Sequence, residues 1–149
     1  MKSTATIFTD ISLNHNTKVL GYAYYFVSDE GKRYQSRIVK DFDKGTYEAE
    51  AYAIVFAIRD VFRFYGEELQ KVYVYCDNKG VVELFKKEEK HAGKDTFEGK
   101  LFDHLRKNYG NVVIDTRHIK AHQGINCKRS YLNDRVDKLS RKTQRNAQR

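Results

Sequence analysis

The 149-residue chain is poor in the residues that cross-link or interrupt a fold. It contains two cysteines, Cys76 and Cys127, and no proline or tryptophan. Two cysteines are too few for a disulfide framework, so we expect a reducing compartment, the cytoplasm. No apolar run before Asp10 is long enough for a signal peptide, and none elsewhere approaches the length of a membrane span. The sequence therefore predicts a globular protein without a membrane partner.

The charge balance points to a polyanionic partner. The chain has 28 Lys and Arg residues against 20 Asp and Glu, which gives a net charge of +8. Such an excess favours nucleic acid, although solubility alone is the simpler alternative. No linker or internal repeat is visible, so we expect a single domain over residues 1–149. Residues 141–149 form a basic tail that is either solvated and partly disordered or in contact with a phosphodiester backbone.

Hydrophobic periodicity and turn residues predict an α/β protein. The expected fold is a five-stranded mixed sheet, a three-strand antiparallel meander plus two parallel strands, with helices on both faces. A helix that begins near Asn133 ends the chain. The other predicted elements are strands over 4–10, 19–28, 33–39, 72–77 and 111–119, and helices over 46–65, directly after Asp77 and over 95–107.

Three acids stand out from these elements. Asp10 and Asp77 each follow an apolar strand, where a carboxylate is set at a sheet edge; for Asp10 alone, the start of a turn is the simpler explanation. Glu50 shares the apolar face of its helix with Ile54 and Val61, which is costly unless it faces a polar or metal site. Glu48 lies on another face and is interpreted as solvated. Thr46 is the candidate N-cap.

Four segments in this order resemble the type 1 ribonuclease H family. They are TDIS at 9–12, AEAYAI at 49–54, YCDN at 75–78 and IKAHQG…NDRVDKLS within 119–140. The last segment is similar to the ribonuclease H domains of retroviral reverse transcriptases. Together the segments span nearly the whole chain, so the resemblance implies a ribonuclease H-like fold. Met1 favours a free-standing protein.

The resemblance also implies a site and a reaction. The acids that would hold two Mg²⁺ ions, with Mn²⁺ as a substitute, are Asp10, Glu50, Asp77 and Asp137. Asp137 follows Asn133 by four residues, as in the family pattern, while Asp134 is the alternative. His122 would assist proton transfer or product release. The reaction implied is hydrolysis of the RNA strand of an RNA–DNA hybrid, leaving a 5′-phosphate and a 3′-hydroxyl, by a monomer.

The sequence departs from the family pattern at positions that recognise the hybrid. Lys79 replaces a glutamine, Thr46 replaces an asparagine, and there is no tryptophan-containing basic helix. Residues 126–131 resemble an insertion. A reduced substitute for that helix is the lysine group Lys86, Lys87, Lys90 and Lys94, which Glu88 and Glu89 dilute. Separately, the basic residues Arg117, Lys120, Lys128 and Arg129 could follow the phosphodiester backbone. The strictness of hybrid preference is therefore open.

Three other functions compete with the hybrid nuclease. His118, His122 and Cys127, with Cys76 as a fourth ligand, could bind zinc. For Cys76 the simpler interpretation is a buried apolar filler, and for His118 a solvent-facing strand residue. The chain could also be another nuclease of the superfamily, such as a junction resolvase or transposase-like enzyme, or a nucleic-acid-binding module without catalysis. Sensitivity to a chelator would separate the binding module from the nucleases.

Overall fold

The computed structural model describes residues 3–28, 31–119 and Lys142. The predicted positions His122, Cys127, Asp134 and Asp137 lie outside these residues. So do the helix predicted from Asn133 and nearly all of the basic tail.

In the described part of the chain, five strands form one mixed sheet with the order β3-β2-β1-β4-β5. Antiparallel pairing joins β1 to β2 and β2 to β3, whereas β4 is parallel to both β1 and β5. The predicted meander with two parallel strands is confirmed. The bounds are β1 Ser3–Asn14, β2 Val19–Ser28, β3 Gly31–Val39, β4 Leu69–Cys76 and β5 Val113–His118.

Within residues 31–119, three α-helices connect the strands. They are α1 Thr46–Tyr65, α2 Lys79–Lys86 and α3 Phe97–Tyr109. The N-cap of α1 is Gly45, without a side-chain cap, so the prediction of Thr46 as the cap was wrong: it is the first helical residue. Asn78 and Thr96 cap α2 and α3 through side-chain oxygens that accept hydrogen bonds from Val81 and Gly99. No helix in the described part of the chain is long and apolar enough to cross a membrane.

The main core lies between one face of the sheet and the three helices. Ile7, Leu20 and Val74 belong to it from the sheet, together with buried residues of α1, α2 and α3. A smaller buried cluster on the opposite face contains Phe8, Ala23, Tyr25, Tyr75 and Ile119. Helices on this second face stay a prediction, because residues 120–141 and 143–149 are outside the described residues.

Strand β1 continues four residues beyond its predicted end at Asp10. This extension pairs with β2, for example Ile11 with Tyr22, whereas pairing with β4 stops at Phe8 and Tyr75. Asp10 therefore lies where β1 no longer hydrogen-bonds to β4, next to the carboxyl end of β4. Such a point at the end of parallel strands is open to a ligand.

Candidate active site

Asp10 is a buried carboxylate within a β-strand. Its side chain follows the alternation of β1, which places it on the same sheet face as Phe8. Only 4% of the residue is exposed. The backbone N–H of Ile11 donates a 2.9 Å hydrogen bond to Oδ1. Because β1 continues to Asn14, Asp10 is held by strand pairing on the β2 side, so the turn-starting explanation is wrong.

Glu50 enters the same region from helix α1. It is 4% exposed, and Ile54, Ala57 and Val61 on its helix face are fully buried. The prediction that Glu50 lies in line with the apolar stripe is confirmed. Glu48, expected to be solvated, is half-buried instead. Its Oε2 lies 3.0 Å from where a Cβ at Gly45 would stand, so the side chain folds back over the start of the helix.

Glu50, Cys76 and Asp77 form a potential cation site. One ligand atom from each residue lies within 4.8 Å of the other two. Two oxygens that share one Mg²⁺ at about 2.1 Å can be at most about 4.2 Å apart, so this spacing is close to that of a metal site. It is the one such group of His, Cys, Asp and Glu within residues 3–28, 31–119 and 142.

Asp10 is electrostatically part of this cluster. Burial raises the pKa of the Cys76 thiol well above its usual value, and the carboxylates of Glu50, Asp77 and Asp10 raise it further. Asp10 thus lies close enough for its charge to act on Cys76. The structure brings three of the predicted acids to one end of the sheet, while Asp137 and His122 stay predictions.

Cys76 makes a contact that the sequence did not reveal. Its Sγ donates to Oε2 of Glu50 across 3.6 Å, and the N–H of Asn78 donates to Sγ at 3.4 Å. The residue is fully buried, as expected of an apolar filler. Because its raised pKa keeps the thiol protonated at neutral pH, Cys76 also serves as a hydrogen-bond donor to a candidate metal ligand. The only sign of this contact in the sequence is that Cys76 directly precedes Asp77.

His118 also lies beside the acids. It pairs with Cys76 across β5 and β4, and its Nε2 is 3.2 Å from the carbonyl oxygen of Asp77. It is exposed, as the simpler interpretation expected. Of the four alternative zinc ligands, His118 and Cys76 are described. His118 contacts the backbone of Asp77, and Cys76 contacts Glu50.

The two positions that depart from the hybrid-binding pattern begin helices next to the acids. Thr46 is the first residue of α1 and Lys79 the first of α2, and both are exposed. The ring of Tyr47 approaches Gly80, since its Cε2 lies 3.5 Å from where a Cβ would stand there. Helix N-termini carry partial positive charge and unpaired N–H groups, which suits phosphate.

Comparison with solved structures shows a close fold relationship to RNase H1 proteins. LC11-RNase H1, isolated from compost by a metagenomic approach, has a TM-score of 0.69 and 20% identity, with 98% of this chain and 99% of that chain covered. The same protein in complex with an RNA/DNA hybrid has a TM-score of 0.69 and 19% identity, with 97% of this chain and 99% of that chain covered. RNase H1 from the halophilic archaeon Halobacterium salinarum NRC-1 has a TM-score of 0.65 and 11% identity, with 93% of this chain and 98% of that chain covered.

Comparison at the sequence level is consistent with that fold. No curated protein sequence matches the chain. The family model described as RNase H matches residues 2–145, almost the full length. That span includes the strand acids, the helix acid and the histidine segment from which the resemblance was inferred. The chain therefore belongs to the RNase H family.

Proposed function

We propose that this RNase H enzyme hydrolyses the RNA strand of RNA–DNA hybrids with two Mg²⁺ ions, leaving a 5′-phosphate and a 3′-hydroxyl. The observation that carries the proposal is the burial of Asp10 and Glu50 at the carboxyl end of β4, where ligand atoms of Glu50 and Asp77 lie within 4.8 Å of each other and the charge of Asp10 reaches Cys76. A buried cluster of carboxylates is costly unless cations neutralise it. The family assignment and the hybrid bound by LC11-RNase H1 support the choice of substrate.

The described donor set fits a hard cation. Carboxylate oxygens are the ligands that Mg²⁺ and Mn²⁺ prefer, and a pair of such ions, when bound, would activate a water and stabilise the leaving oxygen. Asp10, Glu50 and Asp77 would hold the cations. Cys76 would keep Glu50 in place through the thiol hydrogen bond. Asp137 as a further ligand and His122 as a proton-transfer residue complete the proposal from the sequence.

Substrate phosphates would be bound by groups flanking the acids. The N-termini of α1 and α2 provide backbone N–H groups and dipoles, and Lys79 adds an exposed cation at the start of α2. These groups recognise the sugar-phosphate backbone rather than the bases, which predicts sequence-tolerant cleavage.

A second candidate is a nuclease of the same superfamily with relaxed substrate preference. Lys79 and Thr46 favour it, because both replace residues that contact the hybrid in the family pattern. This candidate would use the same metal site.

The test is cleavage of a labelled RNA–DNA hybrid in Mg²⁺, with duplex RNA and duplex DNA in parallel. Asp10→Asn is the test variant, and Asp43→Asn, in an exposed loop, is the matched control. We expect RNA-strand products with 5′-phosphates, reduced on the order of 100-fold or more by Asp10→Asn and unchanged by Asp43→Asn. Binding without cleavage in Mg²⁺ or Mn²⁺ would overturn the proposal. Cleavage of another duplex that depends on Asp10 would favour the second candidate.

A further inference from the structure

An arginine-rich pocket lies between the edge strand β3 and the C-terminal half of α1. Its volume is about 230 Å³. Arg33, Gln35 and Arg37 alternate along β3 and therefore project from the same face. Arg63 and Asp60 line the pocket from α1.

A buried carboxylate, Asp60, orients Arg37 at this pocket. The Asp60 side chain is 8% exposed and accepts hydrogen bonds from the Nε atoms of Arg37, at 3.1 Å, and Arg59, at 3.2 Å. The hydroxyl of Tyr24 donates to it as well. Because Arg37 donates to Asp60 through Nε, the terminal nitrogens of Arg37 can donate to a ligand. The lining of the pocket carries three guanidinium groups (Arg33, Arg37 and Arg63) and one carboxylate (Asp60), which leaves two positive charges.

Arg33 is oriented by an aromatic ring. Its guanidinium carbon lies 4.1 Å from the ring centroid of Phe64, which is 42% exposed. Stacking fixes the plane of a guanidinium while leaving its in-plane donors available. The pocket thus presents preoriented arginine donors to solvent.

The pocket is separate from the catalytic acids. Tyr24, which lines it, pairs with Thr9, so it projects from the sheet face opposite to that of Asp10. Along α1, Arg63 lies 13 residues after Glu50, about 20 Å at the helical rise. A phosphate in the pocket would not contact the cations of the candidate active site.

We propose that this pocket binds phosphate groups of a single-stranded nucleic acid, as a second site beyond the catalytic one. Arginine forks match the geometry of phosphate oxygens, and an aromatic ring among basic residues is typical of single-strand surfaces. The excess of basic residues in the chain is in keeping with such a ligand.

Fluorescence anisotropy with a labelled 20-nucleotide RNA tests the proposal in a chelator, where the cation-free acids repel phosphate. The test variant is Arg33→Gln/Arg63→Gln, which leaves the partners of Asp60 intact. The matched control is Lys100→Gln/Lys107→Gln, which removes two exposed charges from α3. Circular dichroism confirms that both are folded. A parallel calorimetric titration uses inorganic pyrophosphate.

We expect the arginine variant to bind the RNA about three- to tenfold more weakly, with its salt slope reduced by about one. The control should stay within twofold of the wild type. Equal losses in both variants would mean that only net charge matters, and would overturn the proposal. Binding of pyrophosphate that depends on the arginines, without an effect on RNA, would overturn the nucleic acid as ligand.

Discussion

The thiol of Cys76 donates a hydrogen bond to Oε2 of Glu50, across 3.6 Å and away from solvent. This contact joins the end of β4 to helix α1, the two elements that carry Asp77 and Glu50. The contact holds Glu50, one candidate metal ligand, in place through Cys76. Cys76 directly precedes Asp77, the second candidate ligand. Partners that orient metal ligands in this way influence metal affinity.

Substitutions at Cys76 are expected to change the metal dependence of cleavage. Cys76→Ala removes the donor, and we expect about a fivefold higher Mg²⁺ concentration for half-maximal activity, equivalent to about 1 kcal/mol. Cys76→Ser retains a donor and should recover most of the affinity. The measurement is hybrid cleavage against Mg²⁺ concentration. A serine variant as impaired as the alanine variant would show that packing, and not the hydrogen bond, is responsible.

Glu50→Gln is expected to separate activity from stability. Removing one carboxylate from the buried cluster reduces repulsion with Asp10 and Asp77, so without divalent cations the variant should be more stable by about 1 kcal/mol. Its cleavage rate should fall on the order of 100-fold. Thermal unfolding with and without Mg²⁺ provides the check: the wild type should gain stability from Mg²⁺ and the variant much less. An equal gain in both would argue against Glu50 as a ligand.

Alkaline pH is expected to destabilise the fold through two buried tyrosines. Burial raises the pKa of Tyr22 to about 12, and burial together with the hydrogen bond to Asp60 raises the pKa of Tyr24. The unfolded chain releases these protons near pH 10, so the stabilisation is complete below pH 10 and is lost as the pH rises through the folded pKa.

Urea unfolding between pH 9 and 12 measures this effect. Over this range, the free energy of unfolding of the wild type should fall by about 2 kcal/mol more than that of Tyr22→Phe. Tyr34→Phe, which removes a more exposed phenol, is the control and should follow the wild type. Parallel curves for all three proteins would contradict the prediction.

A side chain at Gly99 is expected to destabilise the fold. A Cβ there would stand 2.3 Å from the carbonyl oxygen of Lys94 and 2.8 Å from that of His91. Gly99→Ala should therefore destabilise the protein by about 1–3 kcal/mol, despite the better helix propensity of alanine. Gly80→Ala, where the nearest atom is a side-chain oxygen of Asn78 at 3.3 Å, should change stability by less than about 1 kcal/mol. Chemical denaturation compares the two variants.

Local sequence patterns determined most of the architecture. Alternation and turn residues predicted β2 at its observed bounds, Val19–Ser28, and the uninterrupted apolar run predicted α1 at Thr46–Tyr65. Both elements have strong internal periodicity and clear breaks at their ends, so no distant contact was needed to define them. The helical period also identified Glu50 as the acid on the buried face.

Tertiary contacts decided what local patterns do not encode. β1 extends beyond Asp10 because its last residues pair with β2, and the polar Ser12 and Asn14 gave no local sign of this. Cys76 contacts a carboxylate 26 residues away, and Asp60 gathers arginines from a strand and a helix. These relationships depend on how β3, β4 and α1 pack together. The sequence by itself therefore determined the elements and the candidate acids, whereas only the tertiary structure decided the surroundings of each acid.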